Sequence, residues 1–192
     1  DYMGVISVKN EALDGASKAD LVYWVTGAQA GCAVNKSLQN KQYDGEYTVG
    51  VDYNQSDLTK AIKSGEFTFH NVNGDVRILD DINTKVTVSD TEGAIFCDNQ
   101  TIRVIDQIGN DIAVLFATKY LGSVPNDEAG RISLWSDIVK HHQQLLTIRA
   151  IEGFEDGDVV VSQDNSKKAV VVQDAVTVVN AMGKLYMTTV VS

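Results

Sequence analysis

Residues 99–148 read NQTIRVIDQIGNDIAVLFATKYLGSVPNDEAGRISLWSDIVKHHQQLLTI, and this stretch decides the fold. Ile102, Ile105, Ile108, Ile112, Leu115 and Phe116 recur at three- and four-residue steps. That spacing predicts an amphipathic helix of roughly 23 residues. Asp98 or Asn99 caps its start and Gly122 ends it. Pro125 blocks continuation, and Asn126 is placed to cap a second helix with Asp127 and Glu128 in its first turn. Ile132, Trp135, Ile138, Val139, His142, Leu145, Leu146 and Ile148 form the apolar side of that helix. A connection this short makes the pair an antiparallel αα-hairpin, spanning 98–150.

Downstream the pattern changes to β. Val159-Val160-Val161 and Ala169-Val170-Val171-Val172 flank a polar turn over 164–168. Val176 to Val179 extends the second strand or forms another, so strands occupy 158–179. Lys184 to Val191 reads as a last strand, with Leu185, Met187, Thr189 and Val191 on one face and Tyr186, Thr188 and Val190 on the other. Two half-apolar faces suit the interior of a sheet rather than a wet edge.

Upstream, the first 95 residues alternate short helix and strand signals. Ser17 and Asp20 form a weak capping box before Leu21-Val22-Tyr23-Trp24-Val25, a helix that ends in the small residues from Gly27 to Ala33. Ser56-Asp57 caps a short helix through Leu58, Ala61 and Ile62, closed by Gly65. Phe67–His70 and Val76–Leu79 flank Asn73-Gly74, a strong two-residue hairpin signal. Residues 80–96 are polar and turn-rich apart from Val86-Thr87-Val88, and they mark the domain boundary. The class is α+β: a partial α/β core over 1–95, then a helical hairpin and a sheet over 96–192.

Composition bounds the function. The 192 residues are 44% hydrophobic and 22% charged, an ordinary globular balance. No apolar run approaches the roughly 18 residues that span a bilayer, and Asp1-Tyr2-Met3-Gly4 is not the start of a signal peptide. Lacking a Met at position 1, the chain reads as beginning partway along a longer protein. A net charge of -10 disfavours direct contact with nucleic acid and keeps a self-assembling protein soluble. Cys32 and Cys97 are the only cysteines and read as reduced thiols.

No catalytic or metal motif stands out. Asp52 to Asp57 resembles the start of a calcium loop, but Asp57 stands where Gly is needed and Lys63 where Glu is needed. His141-His142 point about 100° apart on a helix, unlike ligand pairs at i and i+4. A half-buried His142 beside a solvated His141 is the expectation. His70 stands alone in a strand. Gly27 to Gly31 carries neither a dinucleotide nor a phosphate-loop pattern. Glu155, Asp156 and Asp158 are the solvated carboxylates of a turn. Neither an enzyme nor a cofactor is expected.

Several long stretches resemble tail sheath proteins of phages and phage-like particles from Gram-positive bacteria. They are Ala19 to Ser37, Asn40 to Tyr47, Asn99 to Ile108, Val124 to Ile132 and Val179 to Met187, in order along nearly the whole chain. The resemblance implies a subunit that polymerises helically around an inner tail tube, extended before firing and contracted afterwards. It also implies terminal arms that complete a neighbour's β-sheet, the strand-addition mode of recognition. Residues 1–95 then correspond to the end of the middle sheath domain and 96–192 to the C-terminal domain.

Under that implication the C-terminal arm is 184–192, with Leu185, Tyr186, Met187, Thr188 and Val190 making the contacts. The receiving sheet is Val159, Val161, Val170 and Val172, and Gly183 and Gly153 are the hinges. One helix of the αα-hairpin faces the tube. The N-terminal arm is expected to precede Asp1. Implied partners are further copies of the chain, the inner tail tube protein, and baseplate and tail terminator proteins, with no direct nucleic acid or membrane contact. Assembly is expected in the bacterial host cytoplasm, and the product is a virion tail or a released particle. The alternative is another structural part of a contractile tail, a tube or baseplate protein; the long αα-hairpin argues against a mainly β tube.

Overall fold

The structure is a computed structural model and describes residues 1–191. The chain divides into two compact units, one of Asp1–Ile102 joined by the residues from Asn180 onward, the other of Arg103–Val179.

The first unit contains β1 (Ser7–Val8), α1 (Leu21–Ala30), α2 (Gln55–Lys63), β2 (Glu66–Phe67), β3 (Phe69–Val72) and β4 (Asp75–Ile78). β1 pairs parallel to β2, and β3 pairs antiparallel to β4. The expected strand over 67–70 is two strands, broken at the buried Thr68. At the hairpin tip Asn73 and Gly74 have φ of 53° and 96°. Both central residues are left-handed, as a turn matching strand twist requires.

α1 buries Leu21 and Val25, one turn apart, and runs through Gly27 to Ala30. Phe67, Phe69 and Ile78 complete the core with Ala12, Leu38 and Val49. Trp24, Tyr43 and Phe69 meet with ring centroids 4.9–5.7 Å apart. Each fully buried Phe contributes about 1.5–3 kcal/mol of transfer free energy. Asn10 satisfies this core's main chain, donating to Gly50 and Phe69 carbonyls and accepting the Phe69 N–H.

The cap of α2 is Asn54 rather than Ser56-Asp57. Its side chain accepts the Asp57 N–H at 3.0 Å while Asp57 accepts the Asn54 N–H, a reciprocal pair. The residues that suggested a calcium loop are this helix start. Val86-Thr87-Val88 forms no strand.

The long helix α3 (Asn99–Leu115) enters the second unit at Arg103. It ends in a widened turn, Phe116–Tyr120, where the Leu121 N–H reaches the Phe116 carbonyl. Gly122, at φ +71°, then reverses the chain. Thr101, Val104 and Ile108 form the buried stripe, whereas Ile105 is exposed. α4 (Glu128–Thr147) is capped by Asp127, which accepts the Gly130 N–H at 2.8 Å. Asn126 instead donates to the Lys167 and Ala169 carbonyls, so the cap lies one residue later than expected. Asp111 meets His141, and Lys119 and Tyr120 meet Asp137, so α3 and α4 run antiparallel.

α4 buries Leu134, Ile138, Val139, His142 and Leu145, leaving Ile132, Leu146 and Ile148 exposed. Its apolar side is therefore rotated from the one the periodicity suggests, because Leu134 replaces Ile132. β5 (Ile151–Glu152) pairs with β8 (Thr177–Val178), and β6 (Val159–Gln163) pairs with β7 (Val170–Asp174), both antiparallel. Val176 to Val179 thus does not extend β7. Each of these sheets has two strands among the described residues.

Candidate assembly surface

Alternation within the β6–β7 hairpin fixes which residues face the domain. Val159 is buried, Val161, Val170 and Val172 are half-buried, and Val160 and Val171 are exposed. The four expected receiving residues therefore lie on one face, with Val161 opposite Val172. α4 packs on β6, and Trp135 donates its indole N–H to the Val159 carbonyl at 3.0 Å. Those side chains are already engaged inside their own unit.

The hairpin's edges are a different matter. The Asp164 N–H bonds to Ala169 and the Ala175 N–H to Asp158, which sets the alternation of the ladder. Val160 and Ser162 then exchange bonds with Gln173 and Val171, while the main chains of Val170, Val172 and Asp174 turn to the outer side. No strand lies along either outer edge among the described residues. An open edge is a template for another strand.

Lys184 to Val191 forms no strand in the chain. No strand runs beside it among the described residues, so the expected sheet position is not formed within this chain. The last arm position, Ser192, lies outside the described residues. Leu185, Tyr186, Met187 and Val190 are 79–89% exposed, and Thr188 is exposed too. Monomeric proteins seldom display so many neighbouring apolar side chains without a use for them.

The root of this segment is fastened within the first unit. Asn180 donates its side-chain amide to Asp98 at 2.9 Å and accepts the Thr101 hydroxyl at 3.2 Å. The Ala181 N–H reaches the Gln100 side chain at 3.0 Å. Gly183 lies against Gln39, where an added Cβ would sit 2.7 Å from Oε1. Gly153, the other expected hinge, has φ +65°.

Carboxylates dominate this root. Burial, reinforced by Asp80 and Asp81, pushes Asp98 up to about 6, against the Asn180 hydrogen bond and Lys184. Burial also raises Asp80. Sequence reading placed Asp98 as a helix cap and Asn180 in the hinge before the last strand, but did not pair Asn180 with Asp98 and Thr101 or Ala181 with Gln100, some eighty residues away. No local pattern marks such contacts.

His142 is fully buried rather than half-buried, and His141 is half-buried rather than solvated. Cys32 and Cys97 form no disulfide, and the Cys32 Sγ lies 3.5 Å from the Lys36 carbonyl. No group of three or more potential metal ligands occurs among the described residues. No helix among them is long and apolar enough to cross a membrane.

Comparison with known proteins gives a consistent result. Residues 91–192 match the family model of the phage tail sheath C-terminal domain, and residues 1–84 match that of the phage tail sheath central domain. The phage-like element PBSX protein XkdK of Bacillus subtilis (strain 168) is 30% identical over 97% of this chain. The chain spans 43% of the length of the curated relatives it matches. The sheath tail protein of Desulfitobacterium hafniense superposes with a TM-score of 0.83 at 34% identity, over 93% of this chain and 43% of that one. A sheath tail protein of Listeria innocua gives 0.85 at 28% identity, over 98% and 46%. The contracted helical sheath of the anti-feeding prophage shares the fold, with a TM-score of 0.75 at 14% identity, over 97% of this chain and 55% of its own.

Proposed function

The chain belongs to the phage tail sheath family, and from that premise we propose that it is a structural subunit of a contractile tail sheath. Copies polymerise helically around an inner tail tube and contract to drive it through a target cell envelope. Residues 1–95 form the end of the middle sheath domain and 96–192 the C-terminal domain. The partners are neighbouring copies, the tube, and the baseplate and terminator proteins at its ends. Such particles assemble in the host cytoplasm and act as virion tails or released particles.

The observation that carries this reading is a complementary pair of unfinished features. Among the described residues, the segment Lys184 to Val191 has exposed apolar side chains and no strand partner, while the β6–β7 hairpin has open edges. Adding the segment of one copy to a hairpin edge of the next satisfies both, and main-chain bonds then link the subunits. During contraction the subunits stay joined through these strands while their bodies turn, with Gly183 and Gly153 absorbing the change.

Electron microscopy of the concentrated protein tests the reading. Long hollow tubes, wider than a tail tube, are expected, and their loss on deleting residues from Lys184 onward. Tubes formed equally well by the truncated protein refute the arm assignment. A monodisperse small particle from the intact protein refutes the sheath role.

A further inference from the structure

His142 is fully buried on α4, and both of its ring nitrogens face acceptors. Nε2 lies 2.9 Å from the Asp174 carboxylate, and Nδ1 lies 2.9 Å from the Ile138 carbonyl. A neutral imidazole has one N–H and can satisfy only one of these; an imidazolium satisfies both. The neighbouring ring fits the same assignment. An N–H at His141 Nε2, 2.9 Å from Asp111, leaves its Nδ1, 3.4 Å from His142 Nδ1, able to accept.

We propose that His142 is held as an imidazolium, and that its ion pair with Asp174 is a pH-sensitive fastening of β7 to α4 that weakens as pH rises. Asp174 is the last residue of β7, so the pair secures the end of the strand whose outer edge is open. The charged and titratable groups facing His142 are Asp174 from β7 and His141 from its own helix, with the Phe154 ring 5.0 Å away. Burial opposes the charge, but the Asp174 carboxylate and the Ile138 carbonyl outweigh it and raise the His142 pKa. A raised value in the folded state means the pair stabilises fully below the ordinary histidine value of about 6.5 and is lost as pH climbs through the folded one. Loosening at that point frees the end of β7 and makes the ladder bonds of Gln173 and Val171 open more often. The fastening stands whether or not the open edge receives a neighbour.

Nitrogen-resolved NMR of the His142 ring in the full chain tests this, with His141→Gln removing the adjacent ring's signal. Two protonated ring nitrogens are expected at pH 6, with a midpoint above the ordinary value. Hydrogen-exchange protection of the Val171 and Gln173 amides should fall as pH passes that midpoint, by about tenfold for each unit of elevation. The β3–β4 amides should keep theirs. Asp174→Asn should lower the midpoint and remove the pH dependence; if that variant does not fold, the unmodified chain's titration still decides. A ring with one N–H at pH 6, or β7 protection that ignores the ring's titration, overturns the proposal.

Discussion

Asn99 is bound to Asp81 twice: its side-chain amide donates to the Asp81 carboxylate at 2.9 Å, and its main-chain N–H to the Asp81 carbonyl at 2.9 Å. The same carboxylate, on a residue 2% exposed, accepts the Gln29 side chain at 2.7 Å and the Leu38 N–H at 2.9 Å. One buried side chain therefore joins α1, the loop after it and the start of α3.

Asp81→Ala should be among the most destabilising substitutions in the first unit. The Gln29, Leu38 and Asn99 donors, with the more distant Ser37 hydroxyl at 3.5 Å, would lose their shared acceptor, each close donor at about 1–3 kcal/mol if it finds no water. Chemical denaturation should register a loss of about 3 kcal/mol or more. A change below about 1 kcal/mol would show that the donors re-pair easily.

Two left-handed glycines should respond differently to alanine. Gly74 has open space around an added Cβ, so Gly74→Ala carries only the conformational cost of about 1–2 kcal/mol. At Gly65 the new Cβ would also lie 2.9 Å from the Thr84 main chain, so Gly65→Ala should cost clearly more. Equal thermal shifts for the two would contradict this ranking.

Asp98 makes stability depend on pH in a defined sense. Its folded value, about 6, lies above the ordinary 3.8, so the folded state binds its proton more tightly than the unfolded state. That contribution is full below 3.8 and disappears as pH rises through about 6. Asp98→Asn should accordingly stabilise the chain at pH 8 and make little difference near pH 4. Parallel denaturation curves at the two pH values measure it, and an identical effect at both would exclude Asp98 as the source.

The root and the free part of the terminal segment should separate in experiment. Asn180→Ala removes two side-chain hydrogen bonds and should cost about 1 kcal/mol. Tyr186→Asp with Met187→Asp falls on exposed side chains and should leave folding within about 0.5 kcal/mol of the unmodified chain. Sedimentation should nonetheless show self-association lost in the double variant. Unimpaired association would remove these side chains from the interface.

Much of the fold was legible locally. The αα-hairpin follows from apolar recurrence at helical spacing, with Gly122 and Pro125 marking the reversal. The β3–β4 turn follows from Asn73-Gly74, since few residue pairs accept two positive φ angles in succession. Caps were less certain by a residue or two, because Asn54, Ser56, Asp57, Asn126 and Asp127 are all competent and only backbone geometry chooses among them. The rotation of α4 was equally hidden: Ile132 and Leu134 are both apolar, and packing against β6 selects the second.

The terminal segment shows where local reading stops. Alternation in Lys184 to Val191 identifies residues that can make a strand, but a strand is a relation between two chains of main-chain donors and acceptors, and alternation names only one of them. Nor does any spacing reveal that Asn180 meets Asp98 or that His142 meets Asp174. The sequence alone determined the helices, hairpins and turns, because periodicity and φ preference act over a few residues. The tertiary structure alone decided which polar groups are buried together, what charge they carry and which strand edges stay open. Those depend on desolvation and on contacts between residues far apart in the chain.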